Sequence, residues 1–213
     1  MSSSYLTIAR DGDTEIEVRR SRFLCRLRRV ESEEDAREVV GLARKQHWDA
    51  HHHCSAYILG PDARLQRSND DGEPAGTAGA PMLDVLRGRE VSDVVAVVTR
   101  WFGGTLLGAG GLVRAYSDAV RACLDDVGVV RRRMVRLLDV TVGHADAARL
   151  QHELQGREVA VRDVAYGERA TLRLAVPDEA AGALEALIAQ LTGQRPELRD
   201  AGTDWVDDAD HGA

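Results

Sequence analysis

The sequence predicts an α/β (α+β) protein composed of two domains, and three observations support this class. Segments with the alternation of strands and segments with the spacing of helices follow one another along the 213 residues. An almost continuous β-branched run at 94–99 is typical of a central strand buried on both faces. After residue 134 the predicted elements follow the order βαββαβ, which is that of a ferredoxin-like sandwich.

The first part of the chain alternates between strand and helix patterns. Apolar residues on one face of 22–30 indicate a half-buried strand, and Ser32 is placed to cap the helix that follows it. After the glycine-rich stretch that follows 94–99, apolar residues at helical spacing predict a helix over 112–127. The remaining predicted elements are strands at 5–9, 15–18, 53–59 and 63–66 and a helix at 82–86.

The second part has a different character, and the boundary is expected near 128–133. The predicted domains are therefore 1–130 and 131–206, followed by an acidic, disordered tail at 207–213. The predicted strands of the second part are 135–142, 159–166, 170–176 and 197–205, and its helices are 145–155 and 179–191.

Composition points to a cytoplasmic protein. Hydrophobic residues make up 44% of the chain, enough for a proper core, although aromatic residues make up only 4%. No apolar run approaches the roughly 18 residues that span a bilayer, and the first residues lack the pattern of a secretory signal. The three cysteines show no metal-type spacing, so reduced thiols are expected.

Charge is divided unevenly along the chain. The net charge is −7, yet residues 1–134 are balanced and the acidic excess lies entirely in 135–213. A globally basic nucleic-acid binder is thereby excluded, whereas a local basic face on the first part stays open. The alternative is that these arginines are solvated surface at strand ends. The two clusters concerned are Arg19, Arg20, Arg22, Arg26, Arg28 and Arg29, and Arg131, Arg132 and Arg133.

The stretch TRWFGGTLLGAGGLVRAY, residues 99–116, has five glycines between positions 103 and 111. It joins the predicted buried strand to a helix whose first turn offers free backbone N–H groups, and such a helix start favours anions. It fits neither a Walker A loop nor a dinucleotide-binding fingerprint. Two interpretations stay open, a tight turn made for packing and a backbone site for phosphate.

The side chains around these glycines suit nucleic acid as well. Arg100 and Arg114 flank the loop and are suited to phosphate contacts. Trp101 and Phe102 either stack on a base or belong to the core.

Two further motifs bear groups that can do chemistry. In the loop around Asp70, Asp71 and Glu73, three carboxylates repel one another unless a divalent cation, arginines or water offset them, and a cation is not favoured. Within HHHC, residues 51–54, only alternate side chains share a face of a strand, which disfavours a metal site. A partly buried His53–Cys54 pair bonded to polar neighbours is expected, with a Cys–His nucleophile as the sharper alternative.

Three segments together resemble the YigZ/IMPACT family. They are AHHHCSAYILG, NDDGEPAGTAGAPMLDVL and VVAVVTRWFGGTLLGAGGLVRAYSDAV, in this order, within about 15–128 of the chain. The last contains the family's signature of two apolar residues, Arg, two aromatics and glycines. Two departures are Trp101, where tyrosine is usual, and Asn69, where serine is frequent. The signature falls on Val97, Val98, Arg100, Trp101, Phe102, Gly103, Gly104 and Gly108.

The resemblance implies a fold for each part of the chain and a role connected with translation. The first domain would be an α/β sandwich similar to a small-subunit ribosomal protein, to domain IV of elongation factor G and to GHMP kinases. The second would be ferredoxin-like, similar to domain V of that factor. Eukaryotic relatives are translational regulators that bind a ribosome-associated partner of a starvation-sensing kinase. The chain lacks the metal-ligand set that a peptidase, a label some relatives carry, would need.

Three functions follow as hypotheses. The first is a cytoplasmic module that docks RNA or the ribosome, without sequence-specific DNA binding, membrane contact or cofactor. The second is an enzyme acting on a phosphate-bearing small molecule in a cleft where HHHC and the acidic loop face the glycine-rich stretch, with no catalytic residue assigned. The third is an adaptor whose acidic C-terminal domain binds a basic protein. The candidate binding residues are His53, Asp70, Asp71, Glu73, Thr77, Arg100, Trp101, Phe102, Gly103, Gly104, Gly108, Gly110, Gly111 and Arg114.

Overall fold

The computed structural model describes residues 3–155 and 157–208 and divides into two compact units. The first unit extends to Arg132 and also takes in Asp208, and the second is Arg133–Asp207. Two antiparallel sheets and five α-helices lie within the described residues. The predicted mixed α/β class is therefore confirmed.

The first unit has a five-stranded sheet at its centre, with strand order β2-β3-β6-β4-β5. Each of these strands runs antiparallel to its neighbours. A further strand, β1, pairs with β7, which begins in this unit. The elements are β1 Ser4–Ile8, β2 Gly12–Val18, β3 Ser21–Arg29, α1 Glu33–Gln46, β4 His52–Leu59, β5 Leu65–Asn69, α2 Gly79–Gly88, β6 Val94–Trp101 and α3 Ala109–Val127.

Helices cover both faces of this sheet, which explains the composition of its central strand. Helices α2 and α3 bury one face, and Val94, Ala96 and Val98 of β6 belong to the core beneath them. Helix α1 covers the other face, where Val95 and Val97 pack against it. Because β6 is buried on both sides, it needs apolar residues at every position rather than at alternate ones.

Helix α1 begins where the sequence predicts. The Ser32 side chain accepts a hydrogen bond of 3.1 Å from the backbone N–H of Asp35 and so satisfies one free donor of the first turn. Acidic residues in that turn also complement the helix dipole. The helix buries Ala36 and Ala43 and leaves much of its surface polar.

The second unit has the strand order β10-β7-β9-β8, the ferredoxin-like arrangement predicted from its βαββαβ order. Its core contains Leu138, Leu150, Leu172 and Ile188. A short 3₁₀ turn, Asp178–Ala180, precedes the last helix. The other elements are β7 Val129–Val142, α4 His144–Leu154, β8 Ala160–Tyr166, β9 Ala170–Val176, α5 Ala181–Thr192 and β10 Leu198–Asp207.

Several predicted boundaries were wrong. The predicted starts of β2, α2 and α3, at 15, 82 and 112, are each three residues late. The strand placed at 63–66 is Leu65–Asn69, because pairing with β4 sets its register. Strand β7 starts at Val129 rather than at residue 135. The predicted tail begins too early, since Asp207 ends β10 and the Asp208 N–H donates to Arg131. Positions 209–213 of that tail lie outside the described residues.

Candidate functional site

The carboxylate of Asp70 caps helix α2. It accepts hydrogen bonds from the backbone N–H groups of Gly76, Ala78 and Gly79 at 2.8, 3.1 and 2.8 Å. The helix has no capping bond from its own N-cap side chain, so Asp70 serves its first turn from the preceding loop. Burial raises the pKa of Asp70, but these N–H bonds outweigh burial and hold the pKa below its ordinary value.

Asp71 is held by a guanidinium group and a strand. Its carboxylate lies 2.5 Å from Arg44 of α1, and its other oxygen accepts the backbone N–H of His53 at 2.7 Å. The backbone carbonyl of Asp71 lies 2.9 Å from Nδ1 of His52. Asp71 thus connects the loop to both α1 and β4.

Glu73 belongs to a buried charge cluster, which comprises Glu73, Arg100, Tyr116 and Cys54. The carboxylate of Glu73 lies 2.6 Å from Nη1 of Arg100, and the Tyr116 hydroxyl donates to the same oxygen at 2.7 Å. Glu73 and Arg100 are only 8% and 5% exposed. The cluster therefore connects the acidic loop with β6 and α3 inside the protein.

These contacts correct one expectation and decide between the alternatives left open for the acidic loop. Arg100 was predicted to contact phosphate at the surface, but it lies in the interior and neutralises Glu73. Arginines relieve the repulsion among the three carboxylates, which is one of the alternatives left open by the sequence, and the start of α2 contributes in a way that the sequence analysis does not foresee. Thr77 is also buried, and its hydroxyl donates to the carbonyl of Pro74 at 2.7 Å.

The neighbours His53 and Cys54 lie on opposite faces of β4 and do not form a nucleophile pair. Nδ1 of His53 lies 3.1 Å from the Thr99 hydroxyl, and burial lowers the pKa of His53. The Cys54 thiol contacts the carbonyl of Asp70 at 2.9 Å and the Tyr116 hydroxyl at 3.3 Å. Burial raises the pKa of Cys54 to about 12, so the thiolate form is disfavoured.

The histidine motif and the acidic loop do not form a metal centre in the part of the chain that the structure describes. No group of three or more His, Cys, Asp or Glu side chains that could hold a metal ion occurs there. Nδ1 of His51, the first residue of the histidine motif, instead accepts a hydrogen bond of 3.3 Å from the backbone N–H of Phe102.

The glycine-rich stretch leaves β6 and passes close to another turn. A Cβ atom on Gly103 would lie 2.0 Å from the backbone of Arg20, so only glycine fits there. Gly104 and Gly108 adopt positive φ angles of 81° and 70°, which also favour glycine. Gly110, in the first turn of α3, has neither constraint, since an added Cβ would meet nothing within 4 Å. At Gly111, an added Cβ would lie 3.1 Å from the side chain of Leu107, which leaves little space for a larger residue.

Three of the six arginines of the first basic cluster pair with carboxylates of the same sheet. Arg22 pairs with Glu15 at 2.8 Å, and Arg26 and Arg28 both reach Asp13, at 3.0 and 2.8 Å. These are cross-strand pairs between β3 and β2. These three arginines therefore support the pairing of β2 with β3, which is neither a free basic face nor simply solvated surface at strand ends.

Arg19 and Arg20 behave differently from the rest of that cluster. They form the two-residue turn between β2 and β3, and both are exposed. Their φ angles are 48° and 67°, in the left-handed region that non-glycine residues rarely adopt. Among the described residues, no ion pair or hydrogen bond of either side chain is seen.

Exposed aromatic side chains lie at the same end of the sheet. Arg22 lies over the ring of Trp101, 4.7 Å from its centroid, and the exposed Phe102 follows Trp101 in the chain. The indole N–H of Trp101 donates to Asp49, next to Trp48, which is 83% exposed. We define the arginine–aromatic surface by these residues and the adjacent turn, namely Arg19, Arg20, Arg22, Trp48, Trp101 and Phe102.

Arg114 is the one predicted phosphate contact of the glycine-rich stretch that stays at the surface. It is exposed on the early part of α3, and its Nε donates to the carbonyl of Gly110 at 3.2 Å. The charge pattern of the sequence places Arg19 and Arg20 with the other arginines of the first cluster, and no sequence motif singles out Trp48. The spacing of β2 and β3 around the Arg19-Arg20 pair was the signal that could have found the turn.

The fold defines a two-domain α+β protein. In its first domain, the sequence motifs form a cluster of buried, paired side chains, and the exposed arginine–aromatic surface lies beside this cluster. Two domain families match, the Impact N-terminal domain at residues 19–124 and a domain of unknown function, DUF1949, at 140–195. The chain is 38% identical to IMPACT family member YvyE of Bacillus subtilis over 209 residues, covering 98% of this chain and 96% of that protein. The chain belongs to the IMPACT family.

Other comparisons agree with this assignment. IMPACT family member YigZ of Escherichia coli is 46% identical over 118 residues, covering 54% of this chain and 58% of YigZ. A crystal structure described as a hypothetical protein aligns with 93% of this chain and 97% of its own, at 32% identity and a TM-score of 0.65. Within the described residues, no helix is long and apolar enough to cross a membrane.

Proposed function

We propose that this protein is a cytoplasmic binding module in the regulation of translation, and that it docks single-stranded RNA of the translation apparatus on the arginine–aromatic surface. Its family membership supports the connection with translation, because the eukaryotic proteins that it resembles are translational regulators. The surface supplies the chemistry, since arginines contact phosphates and aromatic rings stack on bases.

One observation carries the proposal, namely the Arg19-Arg20 turn. Both residues hold positive φ angles, a conformation that Asn-Gly adopts with much less strain in a two-residue hairpin. Each such non-glycine residue costs about 1–2 kcal/mol. Strain of this kind tends to be kept where function needs the side chain, and here the side chain is a cation directed to solvent.

The neighbouring aromatics support RNA rather than an anion alone. The chain has only three tryptophans and two phenylalanines, and two of these tryptophans and one phenylalanine lie on this surface. Trp48 and Phe102 are 83% and 41% exposed, although burial of their rings would stabilise the fold. Stacking on such rings is worth about 1–3 kcal/mol per base.

The test is binding of a fluorescein-labelled single-stranded RNA of about 12 nucleotides, followed by anisotropy at several salt concentrations. The informative variant combines Arg19→Asn with Arg20→Gly, because it keeps the turn and removes both charges. We expect weaker binding and a salt slope reduced by about 1.4, because each of the two lost phosphate contacts contributes about 0.7 for a single strand. Cosedimentation with ribosomes should weaken in parallel.

Arg121→Gln is the matched control, since Arg121 is an exposed arginine of the same unit that pairs with Asp118 on α3. It should bind the RNA as the unaltered protein does. The proposal fails if the unaltered protein does not bind at low salt, or if the turn variant and the control bind equally. Phe102→Ala should weaken binding without changing the salt slope.

A further inference from the structure

A groove of about 430 Å³ lies between α1 and two strands of the first unit, β4 and the edge strand β5. Its floor includes Tyr57 and Ser55 of β4, and β5 contributes Arg67. Helix α1 supplies Arg37 and Arg44 on the opposite side. The groove is distinct from the arginine–aromatic surface and shares none of its residues.

The pairing of β4 with β5 explains why these side chains meet. Tyr57 is directly opposite Arg67 in the antiparallel ladder, and Ser55 is opposite Asn69. Directly opposed residues point to the same face of a sheet, and here that face is the one covered by α1. Since β5 is an edge strand, α1 leaves the space above it open.

Positive charge exceeds negative charge along this groove. Its lining holds three guanidinium groups and one carboxylate, that of Glu33, and Asp71 adds a second carboxylate by pairing with Arg44, so one positive charge is in excess. Arg37 pairs with Glu33 at 2.7 Å, but Arg37 is 72% exposed, and a pair of this kind within one helix is weak enough for another anion to compete. The hydrogen bond described for Arg67 is to the backbone carbonyl of Gln66 at 3.0 Å, which leaves its charge without a carboxylate in the described residues.

A glycine in the middle of α1 provides a second, independent observation. Gly41 lines the groove, and an added Cβ there would meet nothing within 4 Å. Glycine inside a helix is destabilising relative to alanine, and neither packing nor a positive φ requires it at this position. Because glycine has no side chain, the helix backbone at position 41 is left open towards the groove.

We propose that this groove binds an organic phosphate of about the size of a nucleoside monophosphate. The phosphate contacts Arg67 and Arg37, whose planar donors match its oxygens. The apolar or aromatic part of the ligand packs on Tyr57 and passes over Gly41. The volume lies within the range of about 300–1,000 Å³ that is typical of small-molecule sites.

Isothermal titration of the full chain with AMP and UMP tests the proposal, with adenosine and inorganic phosphate as the two separated parts. At least one nucleotide should bind, and each separated part should bind at least tenfold more weakly. Arg67→Gln should weaken nucleotide binding tenfold or more, whereas Arg121→Gln, on an exposed arginine of α3, should leave it unchanged. The proposal is overturned if neither nucleotide binds, if inorganic phosphate binds as tightly as the nucleotides, or if the two variants behave alike.

Gly41→Ala gives a test that does not depend on losing a charge. Alanine should raise the midpoint of thermal unfolding of the ligand-free protein and weaken nucleotide binding. A more stable variant that binds nucleotide as well as the unaltered protein would contradict the role given to Gly41.

Discussion

The buried charge cluster and the Arg19-Arg20 turn place the same residue type in opposite situations. Arg100 is 5% exposed and bound to Glu73, whereas Arg19 and Arg20 are exposed and hold strained backbone angles. The arginine within the family's signature is therefore structural, and the arginines outside it are directed to solvent. The difference teaches that the partner of a charged group, rather than its place in a motif, indicates what the group does.

The largest effect should come from breaking the buried pair. Glu73→Ala leaves the Arg100 guanidinium buried without its carboxylate, which we expect to lower the free energy of unfolding by about 3–5 kcal/mol. Urea denaturation measures this change. Glu15→Ala is the control, because its partner Arg22 is exposed, and it should lower stability by less than about 1 kcal/mol. Equal losses would mean that the buried pair stabilises the fold no more than an exposed pair does.

Replacing both charges sharpens this test. The combination of Glu73→Leu with Arg100→Met removes the pair without leaving a charge alone, and it should recover much of the stability lost by Glu73→Ala. If the double variant is as unstable as the single one, the Tyr116 hydroxyl or the shape of the site, rather than the unpaired charge, dominates the loss.

The next effect concerns the contact between the glycine-rich stretch and the turn. Gly103→Ala places a Cβ within 2.0 Å of the Arg20 backbone, so the turn must shift, and we expect a loss of about 1–3 kcal/mol in urea denaturation. Gly110→Ala is the matched control, because its Cβ has open space, and it should raise stability by up to about 1 kcal/mol. Equal effects of both changes would contradict the packing assigned to Gly103.

A smaller change of opposite sign is expected for the turn itself. Arg19→Asn with Arg20→Gly relieves the backbone strain and should raise the free energy of unfolding by about 1–2 kcal/mol. Urea denaturation of the same preparation used for RNA binding would show a more stable protein that binds less RNA. A destabilised variant would mean that the arginine side chains contribute to folding.

The smallest effect should be the contribution of His53 to the pH dependence of the free energy of unfolding. Burial lowers its pKa below the ordinary value of 6.5, so the unfolded chain takes up a proton before the folded one as the pH falls. The stability that His53 contributes is thus present above about pH 6.5 and is lost as the pH falls through the folded pKa. His53→Gln should flatten the fall in unfolding free energy between pH 7 and 5, and an unchanged slope would exclude this contribution.

Local patterns sufficed for much of the fold. The apolar run of β6, the Ser32 cap and the βαββαβ order each depend on residues close together in the chain, and the structure confirms all three. Strand β5 was misplaced because Leu65–Asn69 is a polar edge strand, whose exposed residues need no alternation. Only its pairing with β4 defines it.

The candidate site was less accessible to sequence reasoning. Glu73 and Arg100 are 27 positions apart, and their pairing depends on the loop that packs against β6. Charge counting grouped Arg22 and Arg26 with Arg19, although the first two face carboxylates of β2. Which arginines are neutralised follows from strand register, which a list of charges does not contain.

The cap that Asp70 places on α2 has a consequence for amide hydrogen exchange. One carboxylate accepts three N–H groups, those of Gly76, Ala78 and Gly79, although Gly76 lies in an exposed part of the loop. Amides in exposed loops normally exchange quickly with solvent deuterium. We expect these three amides to exchange slowly and to become accessible together when the Asp70 carboxylate breaks its hydrogen bonds. The Asp70 side chain then controls the rate at which residues 76–79 open to solvent.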